Sequence, residues 1–171
     1  MGIIPFITAV EIADRVQGLG QEITGVYKGQ KPVLIGALKG SFIFMADLTR
    51  HIDLPISMDF VGASSRPDGT ESTGEIKITK ELSESIDGKD IIFVEDIIDT
   101  GLTADYWIRR FRDDGANSIR VCTLLHKPAR TEIPVKIDFL GFTIEDKFVV
   151  GYGMDYSQEY RNLSYIGVLD I

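Results

Sequence analysis

Apolar and polar residues along the chain fall into two alternating periods. Thr8-Ala9-Val10-Glu11 has the form of a capping box, and Val10, Ile12, Ala13 and Val16 follow at helical spacing, so a helix is predicted from about Thr8, weakened near Gly18 and Gly20. Pro32 to Leu38 is a short apolar run that predicts a buried strand; Lys39-Gly40-Ser41 breaks it, and Ser41 to Arg50 predicts a helix. Ile56 to Ala63 is strand-like, Ser64 to Thr73 is a polar stretch with Pro67 and Gly69 that predicts a mobile loop, and Glu75 to Thr79 alternates as a strand edge does. Ile91 to Val94 and Val121 to Leu125 are fully apolar strands, and between them Thr103 to Asp114 is helical, stopped by Gly115. Val135 to Leu140 alternates again. Apolar strands interleaved with helices predict an α/β fold with an open, mostly parallel twisted sheet covered by helices on both faces. With no internal repeat and no linker-like segment, residues 1–171 read as one domain.

Composition adds little to this and charge adds a constraint. Hydrophobic residues make up 44% and charged residues 26%, an ordinary globular balance. The formal net charge of -8 lacks the basic excess of a nucleic-acid partner, although a few placed cations or a metal can reverse the field locally. No apolar run approaches the roughly 20 residues of a membrane span, and the early acids at Glu11 and Asp14 do not suit a signal peptide, so the cytoplasm is the expected location. Cys122, the single cysteine, sits in the apolar run SIRVCTLL and reads as a core thiol.

The chemistry concentrates in Ile91 to Thr103, IIFVEDIIDTGLT. A buried strand runs into Glu95 and Asp96, and then into Asp99, Thr100, Gly101, Leu102 and Thr103 at the start of a helix. In an open parallel sheet, ligands bind at the carboxyl ends of strands. Gly101 lets backbone approach a ligand, the hydroxyls donate, and first-turn N–H groups carry the positive end of the helix dipole. That is a phosphate cradle, and the acids beside it suit sugar hydroxyls or a divalent ion rather than bare phosphate. A phosphorylated ribose satisfies both. The alternative is that Asp99 only caps the helix and Glu95-Asp96 only ends the strand in solvent.

VEDIIDTGLT closely resembles the phosphoribosyl-pyrophosphate signature of the type I phosphoribosyltransferases, and the resemblance runs from LKGS through STGEIKI to DKFVVGYGMDY. The last of these motifs narrows it to the 6-oxopurine branch, the hypoxanthine and hypoxanthine-guanine phosphoribosyltransferases. The resemblance implies a small hood formed by terminal segments, a homodimer or homotetramer, and Mg2+ as cofactor. It implies purine salvage: phosphoribosyl pyrophosphate and hypoxanthine or guanine giving IMP or GMP and pyrophosphate. By the same resemblance Lys39 and Gly40 hold pyrophosphate in a loop with a cis Leu38–Lys39 peptide, and Arg161 clamps the same group. Lys127 donates to the purine 6-oxo group, while Phe148 stacks on the base and the Val149 backbone contacts its edge. Glu95 and Asp96 hold ribose hydroxyls and assist a metal, Asp155 serves a second magnesium, and Asp99 is the base at purine N7. The sequence departs from the family where a Ser-Tyr pair is usual: here it is Ser65-Arg66. Arg66 either contacts pyrophosphate or is merely solvated. Two other functions fit parts of the pattern: the same fold acting on xanthine or a pyrimidine, and an RNA-binding attenuation regulator built on this scaffold.

Overall fold

Along the central strand, Ile92 and Val94 pack into one core while Ile91 and Phe93 pack into another on the opposite face. The sheet is therefore sandwiched, and the whole architecture follows from covering both of its faces. The computed structural model describes residues 2–64 and 76–170. In chain order it contains β1 (Ile3–Ile7), α1 (Ala9–Val26), β2 (Val33–Leu38), α2 (Phe42–Arg50), β3 (Ser57–Ser64), β4 (Lys77–Lys80), β5 (Asp90–Ile98), α3 (Leu102–Asp113), β6 (Ser118–His126), a 3₁₀ turn (Pro128–Arg130), β7 (Phe139–Thr143), β8 (Val149–Val150) and β9 (Ile166–Leu169). The main sheet has six strands in the order β4-β3-β2-β5-β6-β7, parallel except for the antiparallel β3–β4 edge pair.

Helices α1 and α2 supply Ile12, Val16, Phe44 and Leu48 to one core. Helix α3 supplies Ala104, Trp107 and Phe111 to the other, where Phe93 meets Phe111 edge to face at 5.4 Å. The capping box at Thr8 and Glu11 is present on both sides, Thr8 Oγ1 accepting from the Glu11 N–H at 3.2 Å and Glu11 Oε2 accepting from the Thr8 N–H at 2.8 Å. Cys122 is fully buried, and burial pushes its thiol pKa up, as befits an inert core residue.

Three expectations need correction. Helix α1 does not weaken at Gly18 or Gly20 but runs on to Val26; at Gly20 a Cβ would overlap His51, so that glycine serves close packing. The strand expected from Val135 begins only at Phe139. The strand expected to stop at Val94 continues to Ile98, so Glu95 and Asp96 lie within β5 rather than beyond it. Of the polar loop from Ser64 to Thr73 all but Ser64 lies outside the described residues, and so do Ser65, Arg66 and Glu75 of the neighbouring expectations.

The terminal segments meet in a second, antiparallel sheet of order β1-β9-β8, with Ile3 opposite Leu169 and Val149 opposite Val168. This is the small hood. No helix among the described residues is long and apolar enough to cross a membrane.

Candidate active site

The carboxyl ends of β2, β5 and β6 converge under the hood, and each ends in a turn with different chemistry. Past β2, the Leu38–Lys39 peptide is cis. Gly40 follows, and a Cβ there would overlap the Asp96 carboxylate, so this loop lies directly against the acid. Ser41 is buried and its Oγ donates to the Ala37 carbonyl at 2.7 Å, which fixes the turn into α2.

On β5, Glu95 is 5% exposed and Asp96 is partly exposed. As neighbours on a strand they leave opposite faces of the sheet. Burial raises the pKa of Glu95 well above the usual carboxylate range, and the Asp96 charge adds to the effect. Burial also pushes Asp96 up to about 6; backbone N–H groups and Arg161 oppose it, and Asp155 reinforces it. Asp96 lines the cavity of the site, and Glu95 is buried beside it on β5. No three His, Cys, Asp or Glu side chains among the described residues are grouped to hold a metal by themselves. Magnesium commonly takes one or two protein carboxylates and completes its shell with water and substrate phosphate. An under-compensated pair beside an anion cradle fits that pattern.

The cradle is the turn from Asp99 to Thr103. Gly101 has φ +86° and forms the N-cap of α3 without any side-chain cap; a Cβ there would overlap the Ile133 carbonyl. The Thr100 carbonyl accepts from the Glu132 and Ile133 N–H groups, both at 3.0 Å, and pins the turn from below. Leu102 N–H donates to Thr100 Oγ1 at 3.4 Å, and the first-turn N–H groups after it are left for an anion.

Past β6, Lys127 is 6% exposed, with Nζ 3.9 Å from Asp146 Oδ1. Surface lysine is the ordinary case, so a buried ammonium facing a cavity is an ordered donor. The cavity holds about 410 Å³ and is lined by Asp96, Asp99, Lys127, Arg130, Phe148 and Val149, among others. Phe148 is 44% exposed at its mouth and meets Tyr156 edge to face at 5.7 Å. A cavity of similar size, about 450 Å³, lies against α3 and the start of β6, but none of the predicted site residues lines it.

Sequence reasoning missed Arg130. Its Nε lies 2.8 Å from Asp99 Oδ1, and its Nη1 lies 3.7 Å from Asp146. The Arg130–Asp99 contact is an ion pair not aligned as a hydrogen bond, which leaves Oδ1 without a hydrogen-bond donor. The only available signal was the spacing: Lys127 precedes the 3₁₀ turn and Arg130 ends it, and residues three apart in such a turn eclipse one another.

The hood closes the arrangement. Arg161 pairs with Asp155 at 2.9 Å and its Nη1 donates to the Gly153 carbonyl at 2.7 Å. Gly153, at φ +101°, lies so close to the Gly40 carbonyl that a Cβ would overlap it. Tyr152 Oη donates to Asp47 at 2.6 Å and ties the hood to α2. Asp96, Asp99, Lys127, Phe148, Val149 and Asp155 line one cavity; Gly40 lies against Asp96, Arg161 pairs with Asp155 and Lys39 reaches Gln158 of the adjoining pocket, while Glu95 and the turn Thr100 to Thr103 adjoin Asp96 and Asp99 in sequence without lining it.

The model of the phosphoribosyl transferase domain matches residues 8–157. The hypoxanthine-guanine phosphoribosyltransferase of Bacillus subtilis is 50% identical over 163 residues, 95% of this chain and 91% of that protein. The hypoxanthine phosphoribosyltransferase of Salmonella typhimurium is 48% identical over 163 residues, 94% of this chain and 92% of that one. Among solved structures, a hypoxanthine-guanine phosphoribosyltransferase from Bacillus anthracis superposes with a TM-score of 0.91 at 40% identity, covering 97% of this chain and 98% of its own.

Proposed function

Because the chain belongs to the phosphoribosyltransferase family, we propose that its site moves a 5-phosphoribosyl group from phosphoribosyl pyrophosphate to N9 of hypoxanthine or guanine. The products are IMP or GMP and pyrophosphate, and the role is purine salvage by one catalytic domain in the cytosol, working as a homodimer or homotetramer. The observation that supports this is a juxtaposition: Asp96, Asp99, the buried Lys127 and Phe148 line one cleft, with buried Glu95 next to Asp96 on β5 and the anion cradle of Thr100–Thr103 directly after Asp99.

Each residue has a role that its surroundings support. The N–H groups and hydroxyls of Thr100 to Thr103, with Gly101 and Leu102 between, take the 5-phosphate. Glu95 and Asp96 take the ribose hydroxyls. Lys39, the Gly40 backbone and Arg161 take the pyrophosphate, the guanidinium fork matching its oxygens. Phe148 supplies a flat face for the purine, and Val149 meets its edge through backbone. Lys127 donates to the 6-oxo group, which selects against adenine because an amino group there is itself a donor. As the anomeric C–O bond to pyrophosphate breaks and the bond to N9 forms, the purine's imidazole proton leaves from N7 to the Asp99 carboxylate. Glu95 and Asp96 would assist one Mg2+ and Asp155 would hold a second, and the bound ions would supply charge neutralisation for the departing pyrophosphate.

The test is pyrophosphate release with a panel of free bases. Turnover with hypoxanthine or guanine well above adenine, xanthine and pyrimidines is expected; preference for xanthine or a pyrimidine would reassign the base pocket. An RNA-binding role is disfavoured by the net charge of -8, and a gel shift with unrelated RNA is expected to stay blank.

Lys127 gives a sharper test. Lys127→Ala is expected to weaken hypoxanthine binding by about 1.5–3 kcal/mol, the worth of a charged hydrogen bond, with phosphoribosyl-pyrophosphate binding much less affected. Equal weakening of both substrates would remove Lys127 from the base pocket.

A further inference from the structure

All four non-glycine residues with positive φ among the described residues fall between Tyr152 and Tyr160, in the hood segment facing the β2 loop. Such conformations persist only where the surroundings over-determine them, and they collect at ligand sites. At Gln158, φ is +71°, and what the conformation achieves is visible. Its backbone N–H donates to Asp155 Oδ2 at 2.8 Å. Its side-chain Oε1 accepts from two cations at once: Lys39 Nζ at 3.2 Å and Arg161 Nη2 at 3.1 Å. These cations come from opposite walls of the cleft, Lys39 from the loop after β2 and Arg161 from the hood.

We infer that Gln158 is a competing placeholder whose carboxamide oxygen occupies, in the substrate-free protein, the place of a pyrophosphate oxygen, and is displaced when pyrophosphate binds. This rests on the assignment of Lys39 and Arg161 to pyrophosphate given above. An amide oxygen has two lone pairs and can satisfy both donors. It carries no formal charge, so it holds the cations converged without neutralising them, and the site keeps its attraction for an anion. A phosphate oxygen makes stronger, charge-assisted bonds to the same groups. Gln158 is exposed and at the surface end of the segment, so its side chain has solvent to move into. The exchange makes pyrophosphate replace two hydrogen bonds already present, and that competition lowers its net affinity.

Competition of this kind predicts opposite signs for two substitutions. Gln158→Asn keeps a residue that tolerates the left-handed conformation but withdraws the carboxamide by one carbon, beyond reach of the cations. It is expected to bind inorganic pyrophosphate about threefold or more tighter than wild type in calorimetry on the full chain in magnesium buffer. Gln158→Glu puts a full negative charge between Lys39 and Arg161, and is expected to bind at least tenfold more weakly. In steady-state kinetics the KM for phosphoribosyl pyrophosphate should follow the same order, while the KM for hypoxanthine stays fixed. Gln158→Ala, melted alongside for fold integrity, should follow Gln158→Asn. If Gln158→Asn and Gln158→Ala bind pyrophosphate at wild-type affinity or weaker, Gln158 is not a placeholder and the inference fails. Wild-type protein that binds no pyrophosphate at all would instead overturn the assignment of the site, a different and separately visible result.

Discussion

Asp99→Asn is expected to fold as wild type does and to turn over hypoxanthine about 10²–10⁴-fold more slowly, the usual contribution of a positioned general base. The amide matches the carboxylate in shape and can still hydrogen-bond, but it cannot carry away the N7 proton. The structure removes the main competing role for this residue. A helix cap would survive the change to asparagine, yet the N-cap of α3 is Gly101, and the side chain bonded to its first N–H is that of Thr100, not Asp99. The partner of Asp99 is Arg130, 2.8 Å away, whose side chain is 48% exposed. A pair that open to water is worth about 0–1 kcal/mol, so its loss should barely move the melting temperature. Asp99 Oδ1 is shielded yet accepts no hydrogen bond, and it borders the same cavity as Lys127 and Phe148. Phosphoribosyl-pyrophosphate affinity should change little, because the N–H groups and hydroxyls of the Thr100–Thr103 cradle do not include the Asp99 carboxylate. Steady-state kinetics and substrate binding, with circular dichroism for the fold, decide the matter. A folded Asp99→Asn with near-normal turnover would leave the proton without its acceptor.

How much of this was legible in the sequence depended on whether the determining contacts are local. The capping box of α1 is settled within four residues and was visible. The apolar cores of β2, β5 and β6 are continuous runs, and were visible for the same reason. Where β5 ends was not, because partners rather than residues extend it: Ile97 and Ile98 pair with Leu125 and His126 of β6 beyond the two acids. Alternation from Val135 marks a half-buried face, not a paired strand. Val135 and Ile137 do pack on the α3 side of the sheet, but pairing is taken up only where Asp138 exchanges bonds with Val121, its N–H donating at 2.9 Å and its carboxylate accepting at 3.0 Å. The individual hood strands left no periodic signal, since β8 has two residues and β9 four, and their pairing spans the chain from Ile3 to Leu169. The same distinction separates the site residues. Asp99 to Thr103 is one contiguous turn, whereas Arg130 and Gln158 acquire meaning only from cations and acids brought to them by other elements.

Removal of divalent cations is expected to abolish turnover altogether, and the two central acids supply a second readout that does not depend on catalysis. Glu95 and Asp96 titrate above their ordinary value of about 4, Glu95 by a wide margin and Asp96 at about 6, because burial disfavours their charged forms. The folded protein therefore holds these protons more tightly than the unfolded chain does. Stability from this source is fully present below pH about 4 and is lost as pH rises through 6 and beyond. Asp90, held low by hydrogen bonds from Ser118 and Asn117, acts with the opposite sign and only on the acid side of that window. A cation bound beside the ionised acids favours the native state by mass action. The melting temperature of metal-free protein should thus fall between pH 5 and pH 8, and saturating magnesium should reduce the fall. Replacing Glu95 by glutamine removes one of the buried charges and should flatten the metal-free profile as well. Full turnover in excess chelator would exclude an obligatory divalent ion. A melting profile indifferent to magnesium at every pH would show that Glu95 and Asp96 do not face it.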